Sequence, residues 1–141
     1  MSRQELILAA LSTARGGSFS PVEIQKMFFL IDKNIPEEVC GPHFDFKPWN
    51  YGPFDKSVYF EMNKLSDEGL VNIEHFGRLR SYKNSIEGQS KGEELFSQLS
   101  EKAKKYIADI SYFVRKCTFS QLVTAIYRDY PEMKVNSVFQ G

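Results

Sequence analysis

The fold of this chain is restricted first by the tetrapeptide Ser20-Pro21-Val22-Glu23, which has the pattern of a helix-capping box. The Ser20 hydroxyl can accept a hydrogen bond from the Glu23 amide, and the Glu23 carboxylate can accept one from the Ser20 amide. Pro21 loses no hydrogen bond at the first helical position. A helix therefore begins here. Residues 24–31 (IQKMFFLI) leave it almost no polar face, so we predict a central, buried helix.

The remaining elements of the N-terminal half follow from spacing and turn residues. Apolar spacing predicts a helix over residues 3–14. Asp55 is predicted to cap a helix that runs to residue 68, and Gly69 suits the left-handed position that ends it. Residues 70–76 and 80–84 are predicted to pair as a hairpin. Three helices followed by a two-stranded hairpin is the element order of a winged helix.

The C-terminal half is predicted to be helical. Residues 90–93 have the pattern of a second capping box, and near-helical apolar spacing continues to residue 116. A last helix is predicted from Thr118, with Pro131 beyond its end. The expected fold class is α+β, mainly α, in a single domain of residues 1–141. Its winged-helix-like N-terminal part (1–85) carries the two-stranded hairpin, and its helical C-terminal part (86–141) packs on it.

Composition and charge indicate one globular domain without a phosphate-binding field. The 141 residues include 18 basic and 18 acidic side chains, with 10 against 11 before residue 86 and 8 against 7 after it. Nucleic-acid binding usually needs clustered positive charge. No apolar run approaches the roughly 20 residues of a membrane span, and the N-terminus lacks a secretory signal pattern. We therefore expect a cytoplasmic protein with no membrane partner and with Cys40 and Cys117 reduced.

Residue types for catalysis or metal binding are few. His43 and Asp45 lie near Cys40, but zinc sites need three or four ligands at characteristic spacing. The second histidine, His75, falls in the predicted hairpin. Gly16-Gly17 lacks the spacing and the lysine of a phosphate-binding loop. We therefore expect no enzyme activity, no metal and no cofactor.

The predicted hairpin carries the best nucleic-acid feature. Arg78, Arg80 and Lys83 are the candidate DNA contacts, as in a winged-helix transcriptional regulator. The solvent positions expected for the preceding helix hold two positive and three negative side chains: Lys56, Lys64, Glu61, Asp67 and Glu68. Carboxylates beside phosphates repel, so we rank DNA recognition below protein binding.

Residues 34–54 form a long connection rich in proline and aromatic residues, with KPWNYGPF at 47–54. One interpretation is a structural latch, which predicts a shared core containing Ile24, Phe28, Trp49, Met62 and Leu65. The alternative is a surface that faces a partner, joined by the apolar C-terminal segment. The candidate partner-binding residues are Trp49, Tyr51, Phe54, Tyr127, Tyr130 and Phe139.

Two strings resemble a known family. Residues 24–30 (IQKMFFL) resemble the "LQKLLYF"-like helix of the Panacea domain, the SocA-like antitoxin family. Residues 44–53 (FDFKPWNYGP) resemble its "F-x-A-W-x-Y-G-P" segment, and Val58-Tyr59 matches the Val-Tyr pair that follows. Residues 122–139 are similar to the ends of the YwgA-like proteins. These proteins have no assigned role, so this second resemblance implies no particular function. The resemblance covers residues 20–75 well and the rest loosely.

The Panacea resemblance implies a non-catalytic module of toxin–antitoxin or phage-related systems that neutralises a protein toxin by direct contact. This sequence departs from the family pattern at Pro48, where an alanine is expected, and at the bulkier Met27-Phe28 pair. We expect no separate DNA-binding module. The identity of the partner and homodimerisation stay open at this point.

Overall fold

A computed structural model describes residues 1–139, which form six α-helices and two antiparallel hairpins in a mainly helical α+β arrangement. The elements are α1 (Arg3–Ser12), α2 (Pro21–Asn34), β1 (Lys47–Trp49), β2 (Gly52–Phe54), α3 (Ser57–Asp67), β3 (Val71–Phe76), β4 (Leu79–Asn84), α4 (Ile86–Ser97), α5 (Glu101–Lys116) and α6 (Phe119–Asp129). The expected α+β class is confirmed. Within the described range, no helix is long and apolar enough to cross a membrane.

The central helix α2 begins where the capping box places it. The Glu23 amide donates to Ser20 Oγ at 3.2 Å, and the Ser20 amide donates to Glu23 Oε1 at 2.9 Å. Every residue from Ile24 to Asp32 is buried, which confirms the prediction of a central helix. Its neighbours include α5, β2 and β4. Three polar residues, Gln25, Lys26 and Asp32, are buried with the apolar ones.

The β3–β4 hairpin pairs from Val71↔Asn84 to Phe76↔Leu79, so the second strand begins one residue earlier than predicted. Phe19 adds a one-residue antiparallel bridge to it, because the Phe19 and Tyr82 amides each donate to the other's carbonyl at 2.9 Å. The fully buried Phe19 and Tyr82 thereby join the chain before α2 to the hairpin after α3.

Three predicted boundaries are wrong. The Asp55 carboxylate accepts from the Ser57 amide at 2.8 Å, but α3 begins at Ser57, so Asp55 lies one position before the N-cap. Residues 90–93 lie inside α4, which is capped instead by Ser85 through the Gly88 amide at 3.0 Å. The helix predicted to continue to residue 116 is two helices, because Ser100 caps α5.

Gly92 allows the close packing of α4 on α1, since a Cβ there would collide with the Leu8 carbonyl oxygen.

Candidate functional site

Two buried polar side chains of α2 hydrogen-bond the two ends of the connection between α2 and α3. The Asp32 carboxylate accepts from the His43 and Phe44 amides, each at 2.9 Å. Burial raises the pKa of Asp32, partly offset by those two hydrogen bonds. Gln25 clamps the other end: its Nε2 donates to the Asp55 carbonyl at 3.0 Å, and the Asp55 amide donates to its Oε1 at 2.9 Å. The loop therefore has the fixed geometry of a latch.

The two short strands β1 and β2 form a hairpin whose backbone, not its tryptophan, covers the core. Trp49 pairs with Gly52, and Gly52 and Pro53 are buried against α2. Trp49 is 54% exposed and stacks on the half-buried Phe54 at 6.1 Å between ring centroids. The prediction that Trp49 joins the core of Ile24 and Phe28 is wrong, because the pleat of β1 turns its ring outward.

The C-terminal segment docks on this hairpin. The Val138 amide donates to the Asn50 carbonyl at 2.9 Å. Ser137 Oγ donates to the same carbonyl at 3.3 Å and accepts from the Tyr127 hydroxyl at 2.6 Å. Phe139 then lies 5.9 Å from the Phe119 ring. The segment therefore holds the hairpin in place and adds a ring to its surface.

We define the aromatic face as Trp49, Tyr51, Phe54, Phe119 and Phe139. Tyr51 (42% exposed) meets Phe119 (45% exposed) edge to face at 5.2 Å. Sequence reasoning missed Phe119. The only signal for it is a large apolar side chain at the first helical position of α6, directly after the Thr118 cap.

Two of the candidate partner-binding residues lie outside the aromatic face. Tyr127 is buried beneath it, 6.3 Å from the Phe139 ring. Tyr130 packs edge-on against Phe29 at 4.9 Å, and its hydroxyl accepts from Asn34 Nδ2 at 3.0 Å. Tyr130 therefore belongs to the packing of the domain rather than to this surface.

A lysine lies beneath the hairpin. Lys26 is 3% exposed, and its Nζ donates to the Pro53 carbonyl at 3.3 Å. Among residues 1–139, no carboxylate oxygen lies within 4.0 Å of it. Burial without a counter-ion lowers the pKa of Lys26 to about 7. Gly52, at φ +104°, keeps the backbone close, since a Cβ there would lie 3.4 Å from Lys26 Cε.

The notch is a cavity of about 210 Å³ between the hairpin and α2. Its lining includes Val22, Gln25, Lys26, Trp49, Tyr51 and Tyr59. The Tyr59 hydroxyl donates to the Pro21 carbonyl at 3.3 Å, and burial raises the pKa of Tyr59 to about 12. The notch thus has aromatic walls and a lysine in its floor.

Two of the three candidate DNA-contact side chains of the β3–β4 hairpin already contact other residues of the domain. The Arg80 guanidinium lies 5.0 Å from the Tyr59 ring centroid, and Lys83 pairs with Glu74 at 2.9 Å. Arg78 is exposed in the turn, between Phe76 and Leu79, whose side chains are 70% and 73% exposed. The end of this hairpin is therefore more apolar than cationic. Glu61, predicted to face solvent on the preceding helix, is instead buried.

The histidines and cysteines are dispersed. His43 Nε2 is 2.7 Å from the Val39 carbonyl oxygen, and His75 lies in β3 opposite Arg80. Within the described residues, no group of three or more His, Cys, Asp or Glu side chains is arranged to hold a metal. Cys40 is exposed and Cys117 half-buried, and both are free thiols.

Comparison with protein-family models, with curated proteins and with solved structures finds no match for this chain. The resemblance to the Panacea domain remains a prediction from the residue strings. The functional argument therefore starts from the aromatic face and the notch.

Proposed function

We propose that this chain is a non-catalytic protein-binding module whose aromatic face contacts a protein partner. The observation that carries this proposal is that Trp49, Tyr51 and Phe119 stay 42–54% exposed, while Trp49 and Tyr51 line the same notch and Tyr51 contacts Phe119. Aromatic side chains are enriched at the centres of interfaces, where a few of them carry most of the binding energy. The resemblance to the Panacea domain implies a protein toxin as the partner and toxin neutralisation as the role.

The rigid mounting of these rings supports this proposal. Gln25 clamps one end of the hairpin, and Ser137 and Val138 hold its turn through the Asn50 carbonyl. A surface that is already ordered loses less conformational entropy on binding than a flexible loop does. A preorganised aromatic surface therefore favours tight contact with a folded partner.

A winged-helix DNA-binding regulator is the second candidate. The order α1–α2–α3–hairpin and the Phe19–Tyr82 bridge favour a winged-helix arrangement of the N-terminal part. Arg78 is exposed where such a hairpin would meet phosphate. The Lys83–Glu74 pair, the stacking of Arg80 and the apolar hairpin end weigh against DNA. We therefore rank this candidate second.

The direct test of protein binding is co-expression with the product of the adjacent gene. We expect a complex that survives about 0.5 M salt, at which the Debye length is about 4–5 Å and exposed ion pairs are screened. We also expect relief of the neighbour's toxicity. Separate elution together with unrelieved toxicity would refute the antitoxin proposal.

Variants of the face then locate the contact. Trp49→Ala and Tyr51→Ala should each weaken the complex at least about thirtyfold, the loss typical of an interface hot spot. The control is Phe60→Ala on α3, because Phe60 is 61% exposed and makes no ring–ring contact with the described face. Equal effects of all three changes would show that the face is not the binding surface.

DNA binding has its own test. If the protein binds DNA, the double change Arg78→Ala with Arg80→Ala should reduce the salt dependence by about one unit per lost phosphate contact. Should the wild-type chain show no salt-dependent binding at about 50 mM salt, which favours phosphate contacts, the DNA candidate is excluded.

A further inference from the structure

Lys26 lacks the partner that a buried lysine usually has. An ammonium group has three donors, and the Pro53 carbonyl accepts from one of them. Lysines are almost never fully buried unless a counter-ion accompanies them. Lys26 has none within 4.0 Å among residues 1–139. The floor of the notch is therefore a cation site whose anion is not supplied by the described chain.

The surroundings of Lys26 tolerate a negative charge. The titratable side chains that face it are tyrosines: Tyr51 and Tyr59 in the notch wall, and Tyr127 of α6 beside Gly52. The Arg80 guanidinium lies against the Tyr59 ring and adds positive charge. The nearest carboxylate along α2, Glu23, accepts from the Ser20 amide and lines a separate cavity with Phe119.

The size of the notch indicates what it holds. Its volume of about 210 Å³ is below the roughly 300–1,000 Å³ of pockets for drug-sized ligands and cofactors. A cavity of this size suits one side chain inserted from another protein. Its aromatic walls match the methylene groups of such a side chain, and Lys26 matches a carboxylate.

We propose that the notch receives one aspartate or glutamate side chain of the protein partner, with its carboxylate bonded to Lys26 Nζ. This inference rests on the proposed function and specifies the chemistry of the partner's anchor residue. Because burial lowers the pKa of Lys26 to about 7, part of the population is neutral before binding. A carboxylate beside the amine raises that pKa again, so binding is accompanied by proton uptake.

The experiment uses N-acetylglutamate methylamide as a probe and N-acetylglutamine methylamide as its uncharged match. Trp49 is the single tryptophan of the chain and lines the notch, so its fluorescence reports occupancy. We expect a saturable response to the glutamate probe with at least about tenfold preference over the glutamine probe, the loss expected for one charge-assisted hydrogen bond. Lys26→Met should abolish that preference. The matched control Lys33→Met, an exposed lysine of the same helix, should keep it.

Equal responses to the two probes, no response to either, or a preference that survives Lys26→Met would each overturn the inference. Should Lys26→Met fail to fold, the wild-type pH dependence decides. Affinity for the glutamate probe should fall at least about tenfold between about pH 6 and about pH 9 as Lys26 loses its proton, while the probe stays ionised. A flat profile would overturn the inference.

The two proposals fail in distinguishable ways. A partner complex that forms with unchanged affinity in Lys26→Met removes the inference and leaves protein binding intact. Selective binding of the glutamate probe without any partner complex removes the proposed function and leaves the notch as a carboxylate site.

Discussion

Replacing Lys26 with methionine should change how stability depends on pH. The pKa of Lys26 is lowered from 10.5 to about 7 by burial, and at about 1.4 kcal/mol per pH unit the charged form costs the folded state about 5 kcal/mol. Between about pH 7 and pH 10.5 the unfolded chain binds more protons at this position than the folded chain does. The contribution of Lys26 to stability therefore rises with pH through that window and is flat outside it.

Lys26→Met removes this slope. The variant also leaves the Pro53 carbonyl without its donor, which costs about 1–3 kcal/mol. We therefore expect it to be about 2–4 kcal/mol more stable than the wild type at pH 7, with the difference shrinking as pH rises. The assay is denaturant unfolding followed by circular dichroism at several pH values from about 6 to 9.

The difference in unfolding free energy between Lys26→Met and the wild type isolates the contribution of Lys26, because the other titrating groups contribute similarly to both proteins. Lys33→Met, a change at an exposed position of the same helix, should give a curve parallel to the wild type. Parallel curves for Lys26→Met and the wild type would refute the reasoning, since they would mean that Lys26 keeps the same pKa in the folded and unfolded chain.

Two further predictions concern the hairpin. Trp49→Ala should change the free energy of unfolding by less than about 1 kcal/mol, whereas Phe28→Ala in the core should cost about 3–5 kcal/mol; comparable losses in thermal unfolding would place Trp49 in the core after all. Gly52→Ala should destabilise by about 1–3 kcal/mol, because φ +104° is strained for alanine and the new Cβ approaches Lys26 and Tyr127. An unchanged melting temperature would contradict that strain.

Local signals predicted well wherever the relevant atoms lie within a few residues. The capping boxes at Ser20 and Thr118 each close through a residue three positions later, and both helices begin where those boxes predict. Gly69 has the predicted positive φ, at +79°. The two helix starts that were missed are capped by Ser85 and Ser100, which lack the second half of a capping box, so these serines resemble ordinary loop residues.

Only part of the candidate site could be predicted from the sequence. The strings at 24–30 and 47–54 marked the helix and the hairpin that build it, and an aromatic surface was one of two interpretations. The outward turn of Trp49 depends on how a three-residue strand is pleated against α2. Tyr51 contacts Phe119, a residue far from it in the sequence, so no local sequence pattern predicts this contact.

The sequence by itself determined the central helix, the hairpin after α3 and the absence of a net basic field, because these depend on local spacing and on composition. The tertiary structure decided which rings stay exposed and that Lys26, one polar residue in an apolar run, is buried without a counter-ion. Whether a side chain is buried, and whether a charge has a partner, depends on neighbouring residues that come from distant parts of the sequence. The chemistry of the notch therefore exists only once α2, the β1–β2 hairpin and the C-terminal segment have packed together.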